Sequence, residues 1–159
     1  MKSTLTKTVA ALAVASALST SAVAADNQFG VGVSVAGDAA QLRGTINLDN
    51  TMRLEPFFGY TYENPDGGNS RTNLSIGTAF HFMKPVSSKI NLYYGAFAGL
   101  DNTDVGNGSS NVFALGPVAG VEYAFDKQFT LGAEAKVNIG FGDTTVFGTD
   151  SAVILRYYF

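Results

Sequence analysis

Cysteine is absent from all 159 residues. Without thiols there is no disulfide framework, no thiolate metal site and no cysteine nucleophile. Charge is scarce as well: Asp, Glu, Lys and Arg make up 14% of the chain, against roughly 25% in ordinary soluble proteins. Long apolar runs are missing beyond the N-terminal segment, where none reaches the roughly 18 residues that a membrane helix needs. No phosphate-binding glycine loop and no basic patch occurs, which argues against nucleotide or nucleic-acid partners. Mean hydropathy is nevertheless only mildly positive. Low charge without long apolar runs is the pattern of a membrane β-barrel, in which half the strand residues face lipid and half face inward.

What is present begins with an export signal. Lys2 and Lys7 give a positive start, residues 9–18 form an apolar stretch of small residues, and Ala22, Val23 and Ala24 make a small-x-small cleavage site. Residues 1–24 therefore read as a cleaved secretory signal peptide, too short for a stable anchor. Residues 25–159, about 135 of them, fit one domain.

Period-two alternation divides this domain into eight strands, each with one apolar face. The first sets Phe29, Val31, Val33 and Val35 against Gly30, Gly32 and Ser34. After a short connection at 37–38, Leu42, Ile46 and Leu48 alternate with Gln41, Arg43, Thr45 and Asn47. A turn at 49–51 leads to Met52, Leu54, Phe58, Tyr60 and Tyr62, set against Arg53, Glu55, Phe57 and Gly59. A loop at 63–71 precedes the fourth strand, with Leu74, Ile76, Phe80 and Phe82 opposite Ser75, Gly77, Ala79 and His81. The fifth sets Ile90, Leu92, Tyr94, Ala96 and Ala98 against Asn91, Tyr93, Gly95, Phe97 and Gly99. Residues 101–111, rich in Asn, Gly and Ser, read as the longest loop. The sixth strand has Phe113, Leu115, Val121 and Tyr123 opposite Ala114, Gly116, Val118 and Glu122. A turn at 126–128 leads to Phe129, Leu131, Ala133, Val137 and Ile139, set against Thr130, Gly132, Glu134 and Lys136. A loop at 142–150 precedes the closing strand, where Val153, Leu155, Tyr157 and Phe159 alternate with Ala152, Ile154, Arg156 and Tyr158.

Three features make this a membrane barrel. The apolar faces carry no charged residue, and a single Arg or Lys there would cost roughly 2–4 kcal/mol at mid-bilayer. Their aromatics gather at the ends. Phe29, Phe80, Phe82, Tyr123, Phe125, Phe129, Tyr157 and Phe159 share the end of the two termini, and Tyr60, Tyr62, Phe113 and Phe141 lie at the other, as two interfacial girdles. Connections alternate between short turns and longer loops, the first loop excepted. On the opposite face small residues recur, as an eight-stranded interior just wide enough for side chains demands. Pro56 and Pro117 fall inside strands, where local bulges are expected.

The closing strand explains the closure. An apolar-aromatic strand ending on Phe159 would be a poor edge in a soluble protein, because it invites pairing with other chains. With the signal peptide and the eight alternating strands, it resembles the OmpA/OmpX-type small outer-membrane β-barrel family. The resemblance implies an all-β, eight-stranded antiparallel transmembrane up-and-down barrel in the outer membrane of a Gram-negative bacterium. It implies that Val153, Leu155, Tyr157 and Phe159 act as the assembly signal read by the barrel-assembly machinery. Its implied partners are outer-membrane lipids, lipopolysaccharide and periplasmic chaperones, with a monomeric state, no nucleic acid and no cofactor. The family spans structural barrels, adhesion factors and a few lipid-modifying enzymes, so fold does not settle function.

Candidate chemistry is sparse. His81 has inward parity near the end of the termini, no His-x-Ser motif accompanies it, and a structural role inside the lumen is expected. Arg43, Arg53, Lys136 and Arg156 share inward parity with Glu55, Glu122 and Glu134. All seven fall in the periplasmic half or near the middle. Buried charges must pair, so a salt-bridged plug is expected in preference to a selective pore or a catalytic carboxylate pair. Strand register across the 49–51 turn sets Thr45 opposite Glu55 with Arg43 on the diagonal. The outer loops lean acidic, with Asp38, Glu63, Asp66, Asp101, Asp104, Asp143 and Asp150 offset only by Arg71. Residues 101–112 lack the ligands of a calcium loop at Val105 and Val112. No metal site is expected, although a diffuse rim meeting lipopolysaccharide through divalent cations is one reading of these loops. Two functions stay open: a non-enzymatic barrel supporting envelope integrity or surface interaction, and a lipid A deacylase- or acyltransferase-like enzyme.

Overall fold

A computed structural model describes residues 28–37, 39–63, 70–106, 108–142 and 145–159. The signal-peptide reading, Asp38, Asp66 and Asp143 lie outside these residues. Eight strands follow in order: β1 (Phe29–Ala36), β2 (Ala39–Asn47), β3 (Met52–Glu63), β4 (Arg71–Pro85), β5 (Ile90–Asp104), β6 (Ser109–Ala124), β7 (Phe129–Phe141) and β8 (Val146–Tyr158). Each pairs antiparallel with its sequence neighbour, and β8 returns to β1 to close the barrel. Closure leaves no sheet edge, which answers the hazard posed by the apolar β8.

The faces divide by parity. Val33, Phe58, Ile76, Leu100, Leu115 and Leu155 on the outer face all remain exposed, while Arg43, Glu55, Tyr93 and Ile154 on the inner face are buried. An exposed belt of this composition is solvated by hydrocarbon, since water would expel it. The girdle at the terminal end is continuous enough for its rings to touch. Phe129 and Tyr157 lie 5.0 Å apart and Tyr123 and Phe125 5.2 Å apart, both edge to face.

Turns at the terminal end are tied by aspartates. Asp49 Oδ1 accepts from the backbone N–H of Thr51 at 2.6 Å and from its hydroxyl at 2.7 Å. These bonds favour the ionised form and hold the Asp49 carboxyl below its ordinary range. Asp126 accepts from the N–H groups of Gln128 and Phe129, each at 2.7 Å.

The far end corrects the expected loops. Asp101 and Asp104 belong to β5 and Asp150 to β8, so the ladder continues through residues whose composition reads as loop. Asp104 pairs with Ser109, and the β5–β6 connection shrinks to residues 105–108, with Gly106 at φ 57°. The physical reason is that a strand leaving the bilayer has no need of apolar side chains. Polar ones pair across it instead, as Asn102 does in donating to Asn111 at 2.8 Å.

The prolines also correct the expectation of bulges. Register between β2 and β3 is the same on both sides of Pro56, and between β6 and β7 on both sides of Pro117. No extra residue enters. Pro56 still sits opposite Thr78 and Pro117 opposite Ala96, so each interrupts the ladder on one side only. An antiparallel residue directs its N–H and C=O to a single neighbour, so a missing N–H is felt on that neighbour alone.

Candidate functional site: a charged plug in the lumen

β-Strand parity sends Arg43 (β2), Arg53 and Glu55 (β3), Glu122 (β6), Glu134 (β7) and Arg156 (β8) into the lumen, where all six are buried. They pair as three bidentate forks. Arg156 donates to Glu55 at 2.6 and 3.0 Å, Arg53 to Glu122 at 2.9 and 3.1 Å, and Arg43 to Glu134 at 2.9 and 3.2 Å. Cross-links join the forks. Arg156 Nη1 reaches Glu122 at 2.9 Å, and Arg43 Nη1 reaches Glu55 at 3.3 Å. Three cations thus balance three anions, and planar guanidinium–carboxylate forks are the geometry in which buried charge is best satisfied.

Neutral groups complete the network. The hydroxyls of Tyr93 and Tyr158 donate to Glu134 and Glu122 at 3.2 and 3.3 Å, and Thr45 donates to Glu55 at 3.3 Å. Ser34 Oγ accepts from Arg43 Nε at 3.1 Å, and Asn47 Oδ1 accepts from Arg53 Nε at 3.0 Å. Such bonds take up the donors and lone pairs that the forks leave over. Tyr93 needs room to enter this layer, and Gly120 provides it: a Cβ there would stand 2.4 Å from the Tyr93 ring.

Of the seven charges expected in the network, Lys136 stands apart from the other six. It lies two residues beyond Glu134 along β7, about 7 Å farther up the strand. Its Nζ sits 5.0 Å from the Phe97 ring centroid and 3.8 Å from Asp150 Oδ2. It lies near the middle of β7 (Phe129–Phe141). Asp150 also accepts from the Asn138 amide. Asp101 lies on the inner face opposite Ser75, in the field of Lys136 and Asp150. Of the six aspartates assigned to the outer loops, Asp101 and Asp150 therefore face the lumen, Asp104 has outward parity at the end of β5, and Asp38, Asp66 and Asp143 lie outside the described residues. Asp150 is half exposed in this pair and its separation from Lys136 is long, so Asp150→Ala should cost under about 1 kcal/mol in thermal or denaturant unfolding.

Parity placed Phe57 and Phe97 inside but gave no sign of what they build. With Ala79 and Ala114 they form a buried apolar cluster between the charged plug and the far end. Gly77 makes way for Phe57, whose ring would lie 2.5 Å from a Cβ at that position. The lumen is thus layered: ion pairs toward the termini, an apolar cluster on the wall of β3 to β6 above them, and a polar mouth with Lys136, Asp150 and Asp101. Recesses of about 370 and 310 Å³ open at the two mouths. The alternation of glycine with inward aromatics was the one available signal for this cluster.

No protein-family model matches the chain, and no curated protein matches it in sequence. Solved structures do match in fold. The chain is similar to Neisserial surface protein A, with a TM-score of 0.63, 19% identity and coverage of 82% of this chain and 93% of that one. It is similar to the N-terminal β-barrel domain of Pseudomonas aeruginosa OprF, with a TM-score of 0.58, 15% identity, and coverage of 82% and 95%. It is similar to the Yersinia pestis outer membrane protein Ail in a phospholipid nanodisc, with a TM-score of 0.51, 16% identity, and coverage of 82% and 97%. The closed barrel, its apolar belt and these likenesses agree: the chain has the fold of the small eight-stranded outer-membrane β-barrels.

Proposed function

We propose that this protein is a non-enzymatic barrel of the Gram-negative outer membrane, supporting envelope integrity or surface interaction without conducting ions. The layered lumen carries this reading. Six charges locked in bidentate forks lie beneath an apolar cluster of Phe57, Ala79, Phe97 and Ala114, and the forks would have to open for a pore to form. An eight-stranded barrel has no spare width around such a filling. The apolar belt meets outer-membrane lipid and, on the outer leaflet, lipopolysaccharide, while the strand ending in Tyr157 and Phe159 is the segment the assembly machinery would read. In planar bilayers the native protein should show no steady open state, and substitutions that strip the plug should produce flickering currents. Stable, ion-selective conductance from the native barrel would replace the plug by a pore.

The position of His81 weighs against the lipid-modifying alternative. Such an enzyme would set its polar constellation toward the outer leaflet, whereas this imidazole is buried in the layer nearest the termini. A deletion strain should lose envelope integrity with lipid A acylation unchanged. Altered acylation would favour the enzyme.

A further inference from the structure

His81 is the chain's single histidine, and nothing in the plug's function as a closure uses it. It is fully buried on β4, directly opposite Arg53. Its two ring nitrogens face two different carboxylates: Nδ1 lies 3.8 Å from Glu55 Oε2, and Nε2 lies 3.8 Å from Glu134 Oε2. Neither nitrogen has a hydrogen-bond partner among the described residues. Arg43 Nη1 already touches the same two oxygens, at 3.3 Å from Glu55 Oε2 and 3.2 Å from Glu134 Oε2.

This arrangement is poor for a metal. The two carboxylates sit against opposite nitrogens of one ring and share Arg43, so a cation would have to displace a guanidinium from a cluster whose charges already balance. It suits a proton. A neutral imidazole has one N–H donor and one lone pair, so in either tautomer a lone pair confronts a carboxylate oxygen. Only the imidazolium offers a donor to each. The other groups around it set the cost. Arg43 from β2, Arg53 from β3 and Arg156 from β8 repel a fourth cation, while Glu55 from β3 and Glu134 from β7 attract it. Glu122 from β6 is held by Arg53 and Arg156, and the Tyr93 ring from β5 lies 4.8 Å away, centroid to centroid.

We propose that His81 is a proton-operated switch in the plug: on protonation its ring competes with Arg43 Nη1 for Oε2 of Glu55 and Oε2 of Glu134. With the imidazole neutral, Arg43 holds both carboxylates. With it protonated, four cations share three anions, and the contest is for the two oxygens that His81 and Arg43 Nη1 both face. Nη1 holds them at 3.3 and 3.2 Å and gives way there, while Arg43 Nη2 keeps Glu134 Oε1 at 2.9 Å. Imidazole gains its proton on acidification, so a fall in pH is the trigger.

The chain's single histidine makes the test direct. The barrel, labelled with ¹⁵N in histidine and arginine and inserted in lipid nanodiscs, is titrated from pH 7.5 to 5, with Arg43 assigned from an Arg43→Lys sample. Both ring nitrogens should move to the imidazolium position, and the Arg43 side-chain resonances should shift with the same midpoint. In His81→Gln, which keeps a polar side chain of similar reach, the Arg43 resonances should stay fixed over that range. A ring that remains neutral to pH 5 overturns the proposal in the unmodified protein, whatever the variant does. So does a ring that titrates without moving Arg43, or an Arg43 response that persists in His81→Gln.

Discussion

Replacing Glu55 with alanine should destabilise the barrel by about 3–5 kcal/mol, the cost of leaving buried charge without its partner. Glu55 is fully buried and accepts from Arg156 at 2.6 and 3.0 Å, from Arg43 at 3.3 Å and from Thr45 at 3.3 Å. Removing it leaves Arg156, itself fully buried, with Glu122 as its remaining carboxylate partner among the described residues. The penalty belongs to the orphaned guanidinium, not to the lost attraction. Replacing Glu55 and Arg156 together with apolar residues of similar volume should therefore cost less than Glu55→Ala alone. The same logic applies to Glu134→Ala, with a smaller loss because Glu134 accepts from one arginine, Arg43, whereas Glu55 accepts from two. Urea unfolding followed by heat-modifiable gel mobility measures each. A double replacement as damaging as Glu55→Ala would show that the forks themselves stabilise the fold.

Insertion of one residue before Val153, or removal of Phe159, should abolish assembly outright. β8 closes the barrel, with Val153 opposite Val35 on β1 and Ala133 on β7. A one-residue shift moves Val153, Leu155 and Tyr157 from lipid to lumen and Arg156 from lumen to lipid. The displaced arginine lies beside the terminal girdle, where lipid exposure costs only roughly 0–1 kcal/mol, so the larger loss is that of its bonds to Glu55 and Glu122. Phe159 is the end of the aromatic row: its N–H donates to the carbonyl of Phe29 at 3.0 Å, and its ring lies 6.4 Å from that of Tyr157. Loss of the heat-modifiable band in membranes from cells making either variant is the expected readout. Normal yield of the folded band would remove the closing strand from its assembly role.

Much of this molecule is local in origin. A strand repeats every two residues, so parity alone assigns Leu42, Ile76 and Leu155 to lipid and Arg43, Glu55 and Arg156 to the lumen. Eight such segments, an uncharged outer face and aromatics at the segment ends specify a membrane barrel before any contact is known. Composition misleads where the strand outruns the bilayer. Asp101, Asp104 and Asp150 read as loop because they are polar, yet backbone pairing needs only N–H and C=O groups, which every non-proline residue supplies. Proline misleads in the opposite sense, since Pro56 and Pro117 remove one hydrogen bond each and the register holds.

Tertiary structure decided which inward groups meet. Arg43 takes Glu134 from 91 residues away, and Arg156 takes Glu55 from 101. Parity says that these side chains share an interior; it says nothing of their heights. Those follow from strand tilt and the stagger accumulated around the closed barrel. The same stagger lifts Lys136 above Phe97, gathers Phe57 and Phe97 on the wall formed by β3 to β6, and brings His81 between two carboxylates that Arg43 already holds. Sequence determined which face each residue occupies because the strand period is local. Pairing within the lumen was left to the tertiary structure because it depends on a closure that no single strand encodes.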